Sequence, residues 1–455
     1  MIALWRALQI TTYMRRRLAL FPSKLSRRPE GQSFMNTVCV LGLGYIGLPT
    51  AAMIASAGVS VLGVDVRREV VDTINAGKIH IEEPGLPDMV RAAVESGKLR
   101  AAMSPEEANV FIIAVPTPLT DAHKADMSLV VAAVRSLLPH LRPGNLVVLE
   151  STSPPGTCRD LLAPLFTEAG FTIGEDIFLA YCPERVLPGK IIRELVENDR
   201  IVGGMDPKST AMAQEVYRIF VKGAIKQTSA TAAEMIKLME NTFRDVNIAL
   251  ANEAACLCEN LGIDFWEVAR LANLHPRVHV HQAGPGVGGH CIAVDPWFLV
   301  EAAPQETALI QTARSRNDAM PGHVVDTVKR LVKGQKDAKA ALLGLAYKAD
   351  VDDIRESPSL KIAAALEEEG LFVQCYDPHV KQAPCAQTTL AACLEGADVV
   401  VLLTDHKEFK ALDPKQAAQG MRQRILYDTR NALNHDNWRE AGFTVTLLGS
   451  GLTAD

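Results

Sequence analysis

The chain has 455 residues, more than one ordinary hydrophobic core accommodates, so two or three domains are expected. Hydrophobic residues make up 48% and charged residues 22%, a globular balance, and a net charge of −6 excludes a nucleic-acid scaffold held by a broad basic field. No apolar run is long enough to span a bilayer, and nine scattered cysteines without CxxC spacing fit the reduced thiols of a cytoplasmic protein better than a disulfide framework.

Residues 1–35 differ from the rest. Arg6, Arg15, Arg16, Arg17, Lys24, Arg27 and Arg28 stand against Glu30 alone. The Arg15–Arg17 cluster interrupts the apolar part, unlike a signal peptide. A disordered basic extension is expected here, with Met35 as the alternative start; a targeting or membrane-surface role is the minority reading.

From Thr37 the pattern sharpens. The strand-like run Val38-Cys39-Val40-Leu41 leads into Gly42-Leu43-Gly44-Tyr45-Ile46-Gly47, then a helix to about Ala57, a break at Gly58, and a second strand ending at Asp65. Gly42 permits the tight turn, Gly44 lets the backbone approach a pyrophosphate, and Gly47 lets the helix pack on the sheet. Asp65 lies where a carboxylate grips a ribose 2′-hydroxyl, favouring NAD over its 2′-phosphorylated form, a preference that Arg67 and Arg68 soften. Strand, glycine turn, helix, strand and acid in this order predict a dinucleotide site.

Further strands are predicted at 110–115, 146–149 and 177–180. Each ends in polar or turn residues, and ligands of an open parallel sheet sit at those ends. Thr117, Thr152 and Glu184 are therefore candidates to face the cofactor or the reacting group; turn hydrogen bonding and capping are the alternatives.

Ala230 to Leu261 reads as one long helix, free of Pro and Gly. Lys237, Asn241 and Asp245 recur every four residues, and Glu234 joins their stripe, either a solvated face or a buried polar one. Next comes the loop Gly284-Pro285-Gly286-Val287-Gly288-Gly289-His290-Cys291, with Asp295 four residues on. If Cys291 opens a helix, the N-terminal dipole would lower its thiol pKa. His275, His279, His281 and His290 do not match zinc spacing, so no metal is expected.

The last third holds another strand-to-turn signal at 340–348, a helix at 359–369 and strands at 371–376, 399–403 and 424–428. Here Lys348, Asp350, Asp352, Asp353 and Arg355 stand in place of a glycine fingerprint, so a phosphorylated ligand would be met by cationic side chains. The fold expected is α/β: two Rossmann-like doubly wound domains joined by a central helical region with one long helix.

The motifs Gly42–Gly47, Val115–Pro118, Glu150–Thr152, Pro183–Arg185, Glu234–Asn241, Gly288–Cys291 and Asp352–Pro358 together resemble the UDP-glucose/GDP-mannose dehydrogenase family, from about Asn36 to near the C-terminus. The resemblance implies an N-terminal NAD-binding domain at 36–215, a central helical, dimerising and catalytic-loop region at 216–325, and a UDP-sugar-binding domain at 326–455. It implies a homodimer or higher oligomer, with no nucleic-acid or membrane partner.

It also implies a four-electron oxidation of the sugar C6 alcohol to a carboxylate. Cys291 would be the nucleophile, with Lys237, Asn241 and Asp295 around the reacting oxygens and water, Glu184 a general-base candidate and Thr152 a nearby hydroxyl. Gly42, Gly44, Tyr45, Ile46, Gly47, Asp65 and Thr117 would hold NAD. Arg185, Arg277, His279, Gly288, Lys348 and Arg355 would meet the UDP-sugar. Glucose-oxidising members tend to carry another acid shortly after the position of Glu184, Ser at His290 and Lys at Val294, departures that speak against glucose; residues 181–189, 243–249 and 288–298 resemble members acting on N-acetylmannosamine, with N-acetylglucosamine as the rival. An NAD/UDP-binding regulatory module is the non-enzyme alternative.

Overall fold

The computed structural model describes residues 35–187 and 189–451. Except for Met35, the basic extension lies outside them. Eight strands form the first sheet: β1 (Thr37–Leu41), β2 (Ser60–Val64), β3 (Leu99–Ala102), β4 (Val110–Ile113), β5 (Leu146–Leu149), β6 (Phe178–Tyr181), β7 (Arg200–Gly204) and β8 (Ile225–Ser229), in the order β3-β2-β1-β4-β5-β6-β7-β8. All neighbours are parallel except β6 and β7. Helices cover both faces, which is why β4 and β5 read as unbroken apolar runs with every residue buried. Successive residues of β1 alternate between two cores: Val38 and Val40 enter one, Cys39 and Leu41 the other.

The second sheet is wholly parallel: β9 (Lys339–Leu343), β10 (Phe372–Tyr376), β11 (Val399–Leu402), β12 (Ile425–Asp428) and β13 (Thr444–Leu447), in the order β10-β9-β11-β12-β13. It too separates two cores, with Ala340 and Leu342 on one side and Ala341 and Leu343 on the other. Thus two doubly wound sheets are present, as the sequence predicts, although β8 of the first falls within the stretch 216–325 assigned to the central helical region. The strands β3, β7, β8 and β13 escape a reading by apolar runs because they are short or mostly polar, as in Ile225-Lys226-Gln227-Thr228-Ser229.

Helix α1 (Gly47–Ser56) follows the first glycine turn. Helix α2 (Ala230–Leu261) has the predicted bounds. The Ser229 hydroxyl accepts from the Ala232 amide at its start, and Gly262 at φ 71° closes it. Its 32 residues make a rod of about 48 Å. Ala230 and Ala233 pack into a core of the first sheet, whereas Ala251, Ala255 and Cys258 pack into a core of the second, so one helix enters both domains. Helix α3 (Asp295–Ala302) and helix α4 (Ala308–Leu331) flank it. Buried Asp245 of α2 accepts from Arg314 of α4 at 2.5 Å and from Asn317 at 2.8 Å, and Asn252 donates to Asn317 at 2.9 Å. Among the described residues, no helix is long and apolar enough to cross a membrane.

Candidate active site

The glycine turn has the geometry its composition implies. Gly42 adopts φ +91°, and a Cβ there would stand 2.5 Å from the Ala114 carbonyl oxygen. A Cβ on Gly47 would stand 1.8 Å from the Gly42 oxygen, so only glycine lets α1 start this close to the turn. Gly44 faces open space, and no side chain caps the N-terminus of α1 at Ile46. A helix start left uncapped by any side chain suits an anion. Asp65, buried at the end of β2, accepts from the Leu43 amide at 3.2 Å and therefore braces the turn. Thr117 donates its hydroxyl to the Thr152 carbonyl at 2.7 Å, tying the ends of β4 and β5 together. The cradle fits a dinucleotide diphosphate on its open face.

The polar stripe of α2 faces inward, with Glu234 and Asp245 buried and Lys237 and Asn241 half-buried. Glu234 accepts from the amides of Gly156 at 2.5 Å and Cys158 at 2.8 Å, fixing the loop beyond β5. One turn on, Lys237 Nζ lies 3.9 Å from Asp295 Oδ2, and Asn241 donates to the same oxygen at 2.6 Å. Burial pushes the Asp295 carboxyl up to about 6, with Lys237 and Asn241 pulling the other way.

Cys291 does not open a helix. It lies in a turn four residues before α3, and its carbonyl accepts from the amides of Val294 and Asp295 at 3.1 and 2.8 Å. The expected dipolar lowering is absent: burial, then Asp295, push the thiol up, while Lys237 and Arg355 oppose them. Burial and a nearby anion both favour the protonated thiol, so the sulfur must give up its proton as it reacts.

The cysteine loop docks on the second domain. The Gly289 amide donates to the Arg355 carbonyl at 3.0 Å. Gly289 has φ +82°, and a Cβ there would meet the Tyr347 ring at 2.8 Å. Gly288 is as confined, with Glu356 and Pro358 against it. Arg355 pairs with Asp353 at 2.6 Å, and His290 Nδ1 stands 3.9 Å from the same carboxylate. Burial and Arg355 depress the His290 imidazole. Tyr45, in the glycine turn, is pushed up by burial and by Asp352, so that turn faces the stretch 347–356 of the second domain. Lys348 is exposed on it.

Other sequence candidates fall elsewhere. Glu184 is buried and paired with Arg200 at 2.6 Å, with its second oxygen on the Arg185 amide, so its bonds do not lead to Lys237, Asn241 or Asp295. Arg200 also lies 3.7 Å from Glu150, which accepts from Tyr217 at 2.7 Å and is pushed up to about 7 by burial. Arg185 is engaged with Glu240 at 2.6 Å. Arg277 and His279 stand exposed on the loop before the glycines; the Arg277 amide donates to His275, and the His279 ring packs edge-on against His281. The sequence reading missed Arg200, Tyr217 and Tyr347 as organisers. Lone residues of their types carry no spacing signal.

Known proteins of one family are similar to this chain over most of its length. Three domains of the UDP-glucose/GDP-mannose dehydrogenase family match the chain: the NAD binding domain at residues 36–221, the central domain at 231–319 and the UDP binding domain at 341–435. A UDP-N-acetyl-D-mannosamine dehydrogenase of Methanococcus maripaludis is 46% identical over 93% of this chain and 99% of its own length. An NDP-N-acetyl-D-galactosaminuronic acid dehydrogenase of Ralstonia nicotianae is 50% identical over 87% of this chain and 95% of its own. The solved UDP-D-ManNAc dehydrogenase of Pyrococcus horikoshii superposes with a TM-score of 0.85 at 42% identity, covering 91% of this chain and 99% of that one.

Proposed function

The chain belongs to the UDP-glucose/GDP-mannose dehydrogenase family, and from that premise we propose that it oxidises the C6 alcohol of UDP-N-acetyl-D-mannosamine to the carboxylate. It is an NAD-dependent nucleotide-sugar dehydrogenase. The observation that carries the mechanism is the convergence of Lys237 and Asn241 on Asp295, four residues from Cys291.

Alcohol to acid removes two hydrides, and NAD supplies the acceptor for each. After the first, the Cys291 thiol passes its proton to Asp295, which releases it to solvent, and the sulfur adds to the C6 aldehyde, forming a C–S bond while the carbonyl oxygen becomes an oxyanion. Lys237 and Asn241 stabilise that oxyanion, an effect worth about 3–4 kcal/mol for a well-placed donor. Loss of the second hydride leaves a thioester on Cys291. Water then cleaves the C–S bond, returning the thiol and releasing the acid. Asp295 is the favoured base for that water, because its carboxyl titrates at about 6 and is ionised at neutral pH. Glu184, held by Arg200, is the alternative base, with Thr152 as the neighbouring hydroxyl.

Gly42, Gly44, Tyr45, Ile46, Gly47, Asp65 and Thr117 form the cofactor side in this reading. Lys348 and Arg355 meet the diphosphate, Gly288 lets the cysteine loop close against Glu356 and Pro358 beside the sugar, and Arg185, Arg277 and His279 complete the substrate shell. We also assign the exposed Met239, Phe243, Leu250, Leu257 and Leu261 on the outer side of α2 to pairing between two copies, which light scattering tests directly. Work in the cytoplasm on a precursor of cell-surface polysaccharide is the setting that fits this chemistry.

NADH released per sugar is the deciding measurement. Two NADH per UDP-N-acetylmannosamine, with little from the N-acetylglucosamine and N-acetylgalactosamine counterparts, supports both mechanism and sugar. Activity confined to a counterpart keeps the mechanism and moves the sugar; the galacto configuration is the second reading favoured by the Ralstonia relative. No NADH from any of them would leave a binding role only.

A further inference from the structure

The end of β2 is where a dinucleotide's adenosine ribose is gripped. In this chain the carboxylate there is already engaged. Asp65 Oδ2 accepts from the Leu43 amide at 3.2 Å, and Oδ1 accepts from the Arg67 amide at 3.0 Å and from Arg67 Nε at 3.4 Å. The Arg67 guanidinium, half in solvent, therefore caps the oxygen that a ribose diol would otherwise reach first.

His80 lies beside this pair and interacts electrostatically with both members. Its two ring nitrogens are shut off from solvent, with the Leu43 backbone alongside but no well-aligned hydrogen bond to either. Buried polar atoms without partners are uncommon and costly, and a ligand arriving at the site relieves the cost. Burial and Arg67 depress the imidazole, so the neutral ring offers one donor and one acceptor. Arg68, at the head of the following helix, adds a second cation. Asp65 and Glu69 stand against Arg67 and Arg68 over this stretch, so a phosphate is met here by individual guanidinium groups and not by a net positive field.

We infer that this corner is a 2′-phosphate subsite: Arg67 swings off Asp65 onto the phosphate, His80 donates its N–H, and the protein binds NADP as well as NAD. The inference deepens the cofactor reading and is independent of which sugar is oxidised.

The test is a fluorescence titration of the purified full chain with NADH and with NADPH, no sugar present; NADH binding reports a competent site. NADPH affinity within about tenfold of that for NADH is expected. Arg67→Ala should raise the NADPH-to-NADH ratio of dissociation constants by about tenfold, the scale of one charge-assisted hydrogen bond. His80→Ala should move the ratio in the same direction. NADPH binding more than tenfold weaker than NADH, or a ratio that Arg67→Ala leaves unchanged, overturns the proposal.

Discussion

Asn241 and Asp295 share a 2.6 Å hydrogen bond that joins the long helix α2 to the helix just beyond the cysteine. That bond, with Lys237 behind it, keeps a nearly inaccessible carboxylate able to ionise.

Its titration is directly testable. Asp295 is raised to about 6, first by burial, so kcat/KM should fall as pH drops through about 6. Asn241→Ala removes one of the two groups that favour the ionised form and should move this limb to higher pH. The stability effect has the opposite sense. A folded carboxyl raised above its unfolded value of 3.8 binds its proton more tightly in the folded state, so its contribution declines as pH rises from about 4 to about 6. Asp295→Asn should flatten the difference between denaturation midpoints measured at the two ends of that window.

Cys291 should behave as a guarded thiol. Its pKa is raised by burial and by Asp295, so alkylation by iodoacetamide should be slow at pH 7 and still climbing above pH 9. Asp295→Asn removes the opposing anion and should speed alkylation at a fixed pH, as read by intact mass. Cys291→Ser should stop net carboxylate formation; normal turnover by that variant would sink the nucleophile assignment.

Arg200 is enclosed between Glu184 and Glu150 and stacks 4.6 Å from the Tyr217 ring centroid. Arg200→Met leaves two buried carboxylates without their cation, which should cost about 3–5 kcal/mol. Chemical denaturation checks this. The double variant with Glu184→Gln should recover part of the loss, because one orphaned charge disappears.

Gly289→Ala should lower kcat by tenfold or more in a folded protein. It places a side chain at φ +82° and 2.8 Å from Tyr347, displacing the cysteine loop while both cores stay intact. Circular dichroism and melting beside the kinetics separate the two effects.

Much of this architecture was legible because its signals are local. The glycine turn, Asp65 and the bounds of α2 follow from spacing and from the absence of helix breakers. The site was legible only as a set of residue types. Lys237 and Asn241 sit on one helix face by periodicity, but that the face is covered by α3 is a tertiary fact. The Cys291 thiol shows the limit most clearly: a sequence offers a helix start four residues too early, and burial decides the sign of the shift. Arg200 was silent because its partners lie 16 and 50 positions away in the chain. Glu184, set near the reaction by motif, is paired with Arg200 in the fold, which is why the proposed mechanism takes Asp295 as its base.

The uninterrupted helix α2 also limits what lengths the gene can drift to. Lys237 and Asn241 project toward Asp295 from one end, and Ala251, Ala255 and Cys258 are fitted into the second domain's core at the other. Inserting or deleting one residue between them would turn the two ends against each other by about 100°. Either the lysine or the core would then face the wrong way, so length variants that keep activity should fall outside the stretch from Lys237 to Cys258.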